Sequence, residues 1–387
     1  MAGMTDTAFR RLVKRHGGCG LVVTEMVSAE GLVRGIDRTL EYAEFTDEER
    51  PIAIQIFGGD PDKMAAAAQI VEGMGADIVD VNMGCPVPKI AKHNAGCSLM
   101  REPAHAAGVI AAMTRAVSIP VTVKMRAGWN DDERNAPTLA KLMQDAGAAA
   151  VAVHGRTAAQ SYSGSADWDL VAQIAEDLTI PVFGSGDCIE PEQIVARIRS
   201  GVEGVLVGRG VLRNPWILAQ ATDLIAGRPP REVTLADRGR FLLDYIDLLL
   251  LERVRDDESR NTSPYESRIP NPESPVRIPR ESRIPNPESL VRIPRESRIP
   301  NPESPLRMPR ESRIPNPESR HHRWVVNKLR ALASWYTKGL ENGSHLRTAI
   351  NSSESLDALG HTIETFFFDA PAAPSRTGAL PLFLESV

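Results

Sequence analysis

The fold of this chain is decided at Val79-Asp80-Val81-Asn82-Met83-Gly84-Cys85-Pro86-Val87-Pro88-Lys89, an apolar and β-branched run that ends in a Gly-Cys-Pro turn. Such a run, bounded by turn residues, is typical of a buried strand. The turn then holds Asn82 and Cys85 just past the carboxyl end of that strand. A cysteine fixed there suits proton transfer or nucleophilic chemistry, and the alternative is a small residue buried at a turn.

Six further apolar runs lie along the chain, at residues 21–24, 51–59, 120–126, 149–156, 180–187 and 204–210. Helical patterns separate them, which predicts a parallel α/β sheet covered by helices on its outer faces. Seven visible strands, and an eighth that would end at Met1, match a (β/α)₈ TIM barrel whose first strand is largely missing. A doubly wound sheet is the alternative, but it would concentrate polar residues at one switch point.

The alternation of strands and helices divides the chain into two predicted domains. Residues 1–231 form the barrel, and residues 232–370 form a small all-helical domain that begins with a Leu-rich amphipathic pattern. Residues 258–320 interrupt that domain with near-copies of a fifteen-residue repeat, ESRIPNPESPVRIPR. Proline prevents a persistent helix or strand, so this insertion is predicted to be disordered, either as a tolerated loop or as an arm that contacts RNA. Residues 371–387 are predicted to be a frayed tail.

Composition excludes several classes of protein. The formal net charge of −5 carries no global nucleic-acid signature, so any contact with RNA needs a local basic patch. The four cysteines include no C-x-x-C pair, which predicts neither a metal site nor a disulfide framework and favours a reducing, cytoplasmic setting. Because no signal peptide or span-length apolar run is visible, we expect no membrane partner.

Polar residues follow nearly every predicted strand. They are Gln55, Asn82 with Cys85, Lys124 with Arg126, His154 with Arg156, Ser185-Gly186-Asp187, and Gly208-Arg209. Any one of them could be an ordinary solvated residue, but in a barrel all these strand ends open on one mouth, which predicts a functional site.

The last two strands end in glycine-rich turns, where barrels often bind phosphate through backbone N–H groups. Lys124 could place a positive charge near an electron-rich ring, and Gln55 could hydrogen-bond a ring edge. This set of residues predicts flavin mononucleotide (FMN) across the mouth, with the flavin performing hydride chemistry.

Several segments resemble the bacterial tRNA-dihydrouridine synthase family, nearest its B-type branch. They include MAGMTDTAFR, QIFGGDP, VNMGCPVPKI, TVKMRAGW, HGRTAAQSYSGSADW, FGSGD and VGRGVLRNPW. The resemblance covers residues 1 to about 231 and resumes more weakly at residues 321–340. It differs from the family pattern at Ser185, where asparagine is usual, and in having no strand before Met1.

The resemblance implies a flavin-dependent reduction of the C5–C6 double bond of uridines in tRNA, with NADPH or NADH as electron donor. Cys85 matches the proton donor to C5, while hydride from reduced FMN reaches C6. Asn82 matches a contact to the target base, and Arg126 and Arg156 are assigned to the substrate side. The matching flavin contacts are Met1, Ala2, Gln55, Lys124, His154, Ser185, Gly186, Asp187, Gly208 and Arg209.

The expected macromolecular partner is tRNA, whose target base must be extruded into the mouth. The basic residues Arg323, Lys328, Arg330, Lys338 and Arg347 are predicted to contact phosphates. We expect a monomer, although no motif determines the oligomeric state. Two other functions stay open: a barrel that reduces a free pyrimidine, as dihydroorotate dehydrogenases do, and an RNA-binding protein without catalysis.

Overall fold

The computed structural model describes residues 3–91, 94–261 and 317–369. Its centre is a parallel sheet with strands β1 Val22–Val23, β2 Val27–Ser28, β3 Ile52–Phe57, β4 Ile78–Met83, β5 Val121–Arg126, β6 Ala150–His154, β7 Val182–Ser185 and β8 Gly204–Leu206. The order is β1-β3-β4-β5-β6-β7-β8, and β2 also pairs with β3. Because β1 and β2 share one neighbour, the described sheet has seven strand positions in chain order. This order has no switch point, which confirms the barrel and excludes the doubly wound sheet.

Helices follow the strands and cover the sheet. They are α1 Thr7–His16, α2 Ala29–Val33, α3 Asp37–Ala43, α4 Pro61–Gly73, α5 Pro88–Ala91, α6 Pro103–Ala116, α7 Ala136–Asp145, α8 Trp168–Asp177, α9 Pro191–Ile198, α10 Arg209–Arg213 and α11 Ile217–Ile225, with 3₁₀ turns at Asp47–Glu49 and Gly96–Arg101. Capping residues determine where these helices begin. Asp60 caps α4 by accepting hydrogen bonds from the N–H groups of Asp62 and Lys63, and Pro61 has no N–H that would need a partner.

Successive side chains of β4 face alternately the hydrophobic core and the candidate site. Val79, Val81 and Met83 are fully buried in the hydrophobic core. Asp80 and Asn82 point to the opposite face, where both form hydrogen bonds with side chains of neighbouring strands. Since side chains alternate in a strand, one apolar and one polar face result from the same six residues.

Among the described residues, four helices follow the barrel: α12 Leu235–Asn261, α13 Pro317–Tyr336, α14 Gly343–Ser352 and α15 Leu356–Phe367. Helix α12 packs on α1, α13 and α15, so the helical region is attached to the start of the barrel. Residues 258–261 and 317–320 of the predicted insertion are helical. The predictions for residues 262–316 and 371–387 lie outside the described residues. No helix in the described ranges is long and apolar enough to cross a membrane.

Asp6 joins the barrel to the helical region. Its Oδ1 atom caps α1 by accepting from Phe9 N–H at 3.0 Å. Its Oδ2 atom accepts from Tyr245 Oη of α12 at 2.8 Å and from Lys328 Nζ of α13 at 2.9 Å. Lys328 also donates to the Gly3 carbonyl at 3.3 Å. The expectation that Lys328 contacts RNA phosphate is therefore corrected: its charge is neutralised inside the protein.

We expect Tyr245→Phe to lower the free energy of unfolding by about 1–3 kcal/mol, because it removes a buried hydrogen bond to a charged carboxylate. The aromatic ring, which packs 6.1 Å from the Phe9 ring, is kept. Urea denaturation followed by circular dichroism measures the change. Tyr162→Phe is the matched control, since Tyr162 is exposed. Equal midpoints for Tyr245→Phe and the control would contradict the importance of the Asp6 contact.

Candidate active site

A row of hydrogen-bonded polar side chains crosses β3, β4 and β5. Asp80 lies in the middle, and its carboxylate accepts from Gln55 Nε2 and Thr122 Oγ1, each at 2.6 Å. Asn82 Nδ2 extends the row by donating to Gln55 Oε1 at 2.8 Å. The register explains the row, because Asp80 pairs with Gln55 on one side and with Thr122 on the other.

Asn82 also positions the loop that carries Cys85. Its Oδ1 atom accepts from the N–H of Gly84 at 3.1 Å and from that of Cys85 at 2.9 Å. The Cys85 carbonyl accepts from Cys97 N–H at 3.1 Å. Cys85 is partly exposed, whereas Cys97 is buried. The structure thus holds a partly accessible thiol in a hydrogen-bonded turn directly after β4.

Lys124 is the neighbour of Asn82 in the β4–β5 register. Its Nζ atom is 3.5 Å from the Met125 carbonyl, and it makes no salt bridge within the described chain. Burial and the nearby Arg126 lower the pKa of Lys124 to about 8, while Asp80 opposes this change. Burial raises the pKa of Asp80 against the effects of its hydrogen bonds and of Lys124. A cation with free donors therefore stands beside the Asn82 amide.

Arg126 connects two loops at the mouth. Its guanidinium is buried and donates from Nε to the Gly84 carbonyl at 2.8 Å. It donates from Nη1 to the carbonyls of Thr157 and Ser161, each at 2.9 Å. The sequence prediction placed Arg126 on the substrate side. In the structure these donors bind backbone carbonyls, so Arg126 stabilises the loop that carries Cys85.

Arg156 acts similarly on the next loop. It is 2% exposed and donates to the Ser163 carbonyl at 3.0 Å and to the Asp187 carboxylate at 2.7 Å. Asp187 also accepts from Ala166 N–H at 2.7 Å and lies 3.6 Å from Arg209. Burial raises the pKa of Asp187, but these donors outweigh it and leave the pKa below its usual value. Arg156, also predicted to face the substrate, instead neutralises Asp187.

His154 is uncharged at this site. Burial lowers its pKa far below the ordinary value, and the nearby cations Lys124, Arg126 and Arg156 lower it further. Its Nε2 atom lies 3.4 Å from Arg156 Nη1 and accepts from that donor. A neutral imidazole can then donate a hydrogen bond through its other nitrogen.

The turn after β7 needs glycine at position 186. Gly186 has φ of +123°, and a Cβ atom there would lie 2.6 Å from Ala166 Cβ and 3.1 Å from the His154 ring. Trp168 Nε1 donates to its carbonyl at 3.0 Å, which fixes the turn. Ser185 ends β7 beside it and is largely buried. The bare backbone can therefore lie next to His154.

Arg209 joins the turns after β7 and β8. It follows Gly208 at the start of α10, close to Asp187. Its guanidinium lies 4.8 Å from the ring centroid of the exposed Tyr162, and the Arg126 guanidinium lies 5.9 Å from the same ring. Tyr162, which the sequence analysis did not single out, thus covers two arginines at the mouth.

The structure brings the predicted residues together in two groups. Gln55, Asn82 and Lys124 lie on adjacent strands beside Cys85, and the residues of β6, β7 and α10 form the second group. The functions assigned to these residues stay predictions, and Met1 and Ala2 lie outside the described residues. Sequence reasoning missed Asp80. Its signal was a charge in an apolar strand, two positions before Asn82 and therefore on the same face.

The basic surface predicted at residues 321–347 is smaller than expected. Arg330 donates to the Ser353 carbonyl at 2.7 Å, so it is engaged within the protein, as Lys328 is. Arg323 and Lys338 are exposed. The Lys338 ammonium lies 3.9 Å from the centroid of the Trp335 ring. In the described part of the chain, no group of three acidic, histidine or cysteine side chains could hold a metal ion.

Comparison with known proteins agrees with this geometry. The family model of dihydrouridine synthases matches residues 1–261. A probable tRNA-dihydrouridine synthase of Rickettsia prowazekii is 40% identical over 253 residues, which are 65% of this chain and 77% of that protein. The tRNA-dihydrouridine synthase B of Xanthomonas campestris is 42% identical over 227 residues, covering 58% and 68%.

Among solved structures, histamine dehydrogenase from Rhizobium sp. 4-9 aligns with a TM-score of 0.44 and 14% identity, over 62% of this chain and 46% of that chain. That likeness is too low to bear on function. The family match, in contrast, extends over more than half of the chain and contains every described site residue. The chain therefore belongs to the dihydrouridine synthase family and is an oxidoreductase.

Proposed function

We propose that this chain is a tRNA-dihydrouridine synthase that uses FMN and NADPH to reduce uridines in tRNA. The observation that carries the proposal is the turn after β4, where Asn82, which stands opposite Lys124 in the register, holds the backbone of a partly exposed Cys85. Family membership supplies the class of reaction, and the relative from Xanthomonas campestris is named for action on tRNA.

The residues at the mouth fit a flavin. Lys124 has free donors for an electron-rich ring, Gln55 and neutral His154 offer further hydrogen bonds, and Gly186 permits close approach of the backbone. The phosphate would be held by the turn residues Ser185, Gly186, Gly208 and Arg209. Asp187 would repel a phosphate directly, so it is assigned to positioning Arg209 and Arg156. Met1 and Ala2 are assigned to the same cofactor by the family resemblance.

FMN, held by the residues named above, would supply hydride to C6 of uracil, and NADPH would supply its electrons. The chain supplies the matching proton: the S–H bond of Cys85 breaks and a C–H bond forms at C5, which leaves a thiolate that solvent can reprotonate. Asn82 keeps the Cys85 backbone in place, and it would contact the target base, as the family resemblance implies. Arg126 and Arg156 act on the substrate through the loops that they hold.

The tRNA base must leave its stack to reach Cys85, as bases acted on by enzymes do. Phosphates of the tRNA are proposed to contact the exposed basic side chains of α13 and its C-terminal loop, Arg323 and Lys338. Because tRNA is the substrate, the enzyme is placed in the cytoplasm, and we propose that it acts as a monomer.

We expect Cys85→Ala to bind FMN normally and to lose at least about 100-fold in dihydrouridine formation, because the proton donor to C5 is gone. Flavin absorbance and mass spectrometry of tRNA nucleosides measure the two effects. Cys19→Ala is the matched control, since Cys19 lies before β1. Wild-type activity in Cys85→Ala would refute the acid role.

Reoxidation of the reduced flavin distinguishes the proposed function from its alternatives. We expect tRNA to reoxidise it, whereas free uracil and orotate should not. Reoxidation by a free pyrimidine would support a small-molecule reductase. Binding of tRNA by a protein that holds no flavin would support a non-catalytic RNA-binding protein.

We expect FMN affinity to fall several-fold between pH 7 and pH 9, because Lys124, whose pKa is about 8, loses its charge as the pH rises. Arg126 stays charged and His154 stays neutral over this range, so neither produces the change. Flavin fluorescence quenching measures the dissociation constant. Lys124→Arg should bind FMN with little pH dependence. If FMN affinity in that variant still fell between pH 7 and pH 9 as in the wild type, the fall could not be assigned to Lys124.

A further inference from the structure

Asp80 has no role in the mechanism above, yet its carboxylate is buried at the mouth. It is 6% exposed, and its hydrogen-bond donors, Gln55 and Thr122, are neutral. A buried carboxylate without a compensating cation is costly in free energy. The cation that interacts with Asp80 is Lys124, which lies two residues beyond Thr122 on β5 and therefore on the same face.

We propose that Asp80 is a positioning residue whose negative charge keeps the Lys124 ammonium protonated at the flavin site. The proposal rests on the proposed function for the use of that charge, because a neutral Lys124 could not act as a cation toward FMN. The role that it assigns to Asp80 is exercised through Lys124.

The charges around Lys124 explain why it needs such a partner. Arg126, on the same strand, and burial of the amine both favour the neutral form. His154 on β6 is itself uncharged and offers no compensation. Asp80 on β4 opposes Arg126, and the attraction is mutual, since Lys124 also favours the charged form of Asp80. Burial and Arg126 therefore act against the charge of the amine, and the Asp80 carboxylate acts for it.

Asp80→Asn can remove this charge and keep the hydrogen bonds. The asparagine carbonyl oxygen can accept from Gln55 Nε2, and its amide can donate to Thr122 Oγ1, because a hydroxyl both donates and accepts. The row from Thr122 to Asn82 then survives, so the variant tests charge and not packing. Asp80→Glu, which keeps the charge, is the matched control.

The first measurement is acetylation of Lys124 by acetic anhydride in flavin-free enzyme as a function of pH, followed by peptide mass spectrometry. Only the neutral amine reacts, so the profile reports protonation without requiring flavin or tRNA. We expect the midpoint to move down by about one pH unit in Asp80→Asn. An unchanged or raised midpoint would overturn the proposal. Should Asp80→Asn not fold, Asp80→Ser gives the same test.

The second measurement compares FMN affinity at pH 7.5 in two backgrounds. We expect Asp80→Asn to weaken binding several-fold when Lys124 is present and to have little effect in Lys124→Arg, because arginine stays charged without help. Equal losses in both backgrounds would show a purely structural role and overturn the proposal. Failure of the wild-type enzyme to reduce tRNA would refute the proposed function but not the role of Asp80. That role would still be decided by the acetylation profile of Lys124.

Discussion

The register of the parallel strands is the constraint on which the site depends. Asp80 stands opposite Thr122, and Asn82 stands opposite Lys124. Since side chains alternate, a slip of one residue would bring Val79 and its apolar neighbours to this face and remove the polar row. The same register continues around the rim, where Arg126 stands opposite His154 and His154 opposite Ser185. The strand register therefore brings together residues that are far apart in the chain.

Buried arginines turn that rim into a stable, electropositive site. Arg126 and Arg156 satisfy backbone carbonyls of the mouth loops, which have no secondary-structure partners. Burial lowers the pKa of both His154 and Lys124, and the nearby arginine charges lower it further, Arg126 for Lys124 and both arginines for His154. The arrangement combines loop support with attraction for an anionic cofactor. Asp80 compensates the charge of Lys124, and Asp187 compensates that of Arg156.

Much of the fold could be predicted because strands, helices and turns depend on short-range sequence patterns. Apolar runs with turn residues indicated the strands, and the Gly-Cys-Pro turn indicated where Cys85 leaves the sheet. Asp80 shares a face with Asn82 by its spacing, but it was missed because the sequence does not show that Gln55 and Thr122 lie beside it. Arg126 and Arg156 were predicted at the right strand ends, but a guanidinium can turn to solvent or to backbone, and sequence does not distinguish these directions.

The order of elements, the residues at the mouth and the family follow from the sequence, because they depend on local pattern and motif. The pairing of charges, in contrast, depends on the tertiary structure. Lys328 is one of several basic residues in α13, yet it pairs with Asp6, which also accepts a hydrogen bond from Tyr245, while Arg323 stays exposed. The physical reason is that an ion pair depends on distance and burial, and both arise only when elements remote in the chain pack together.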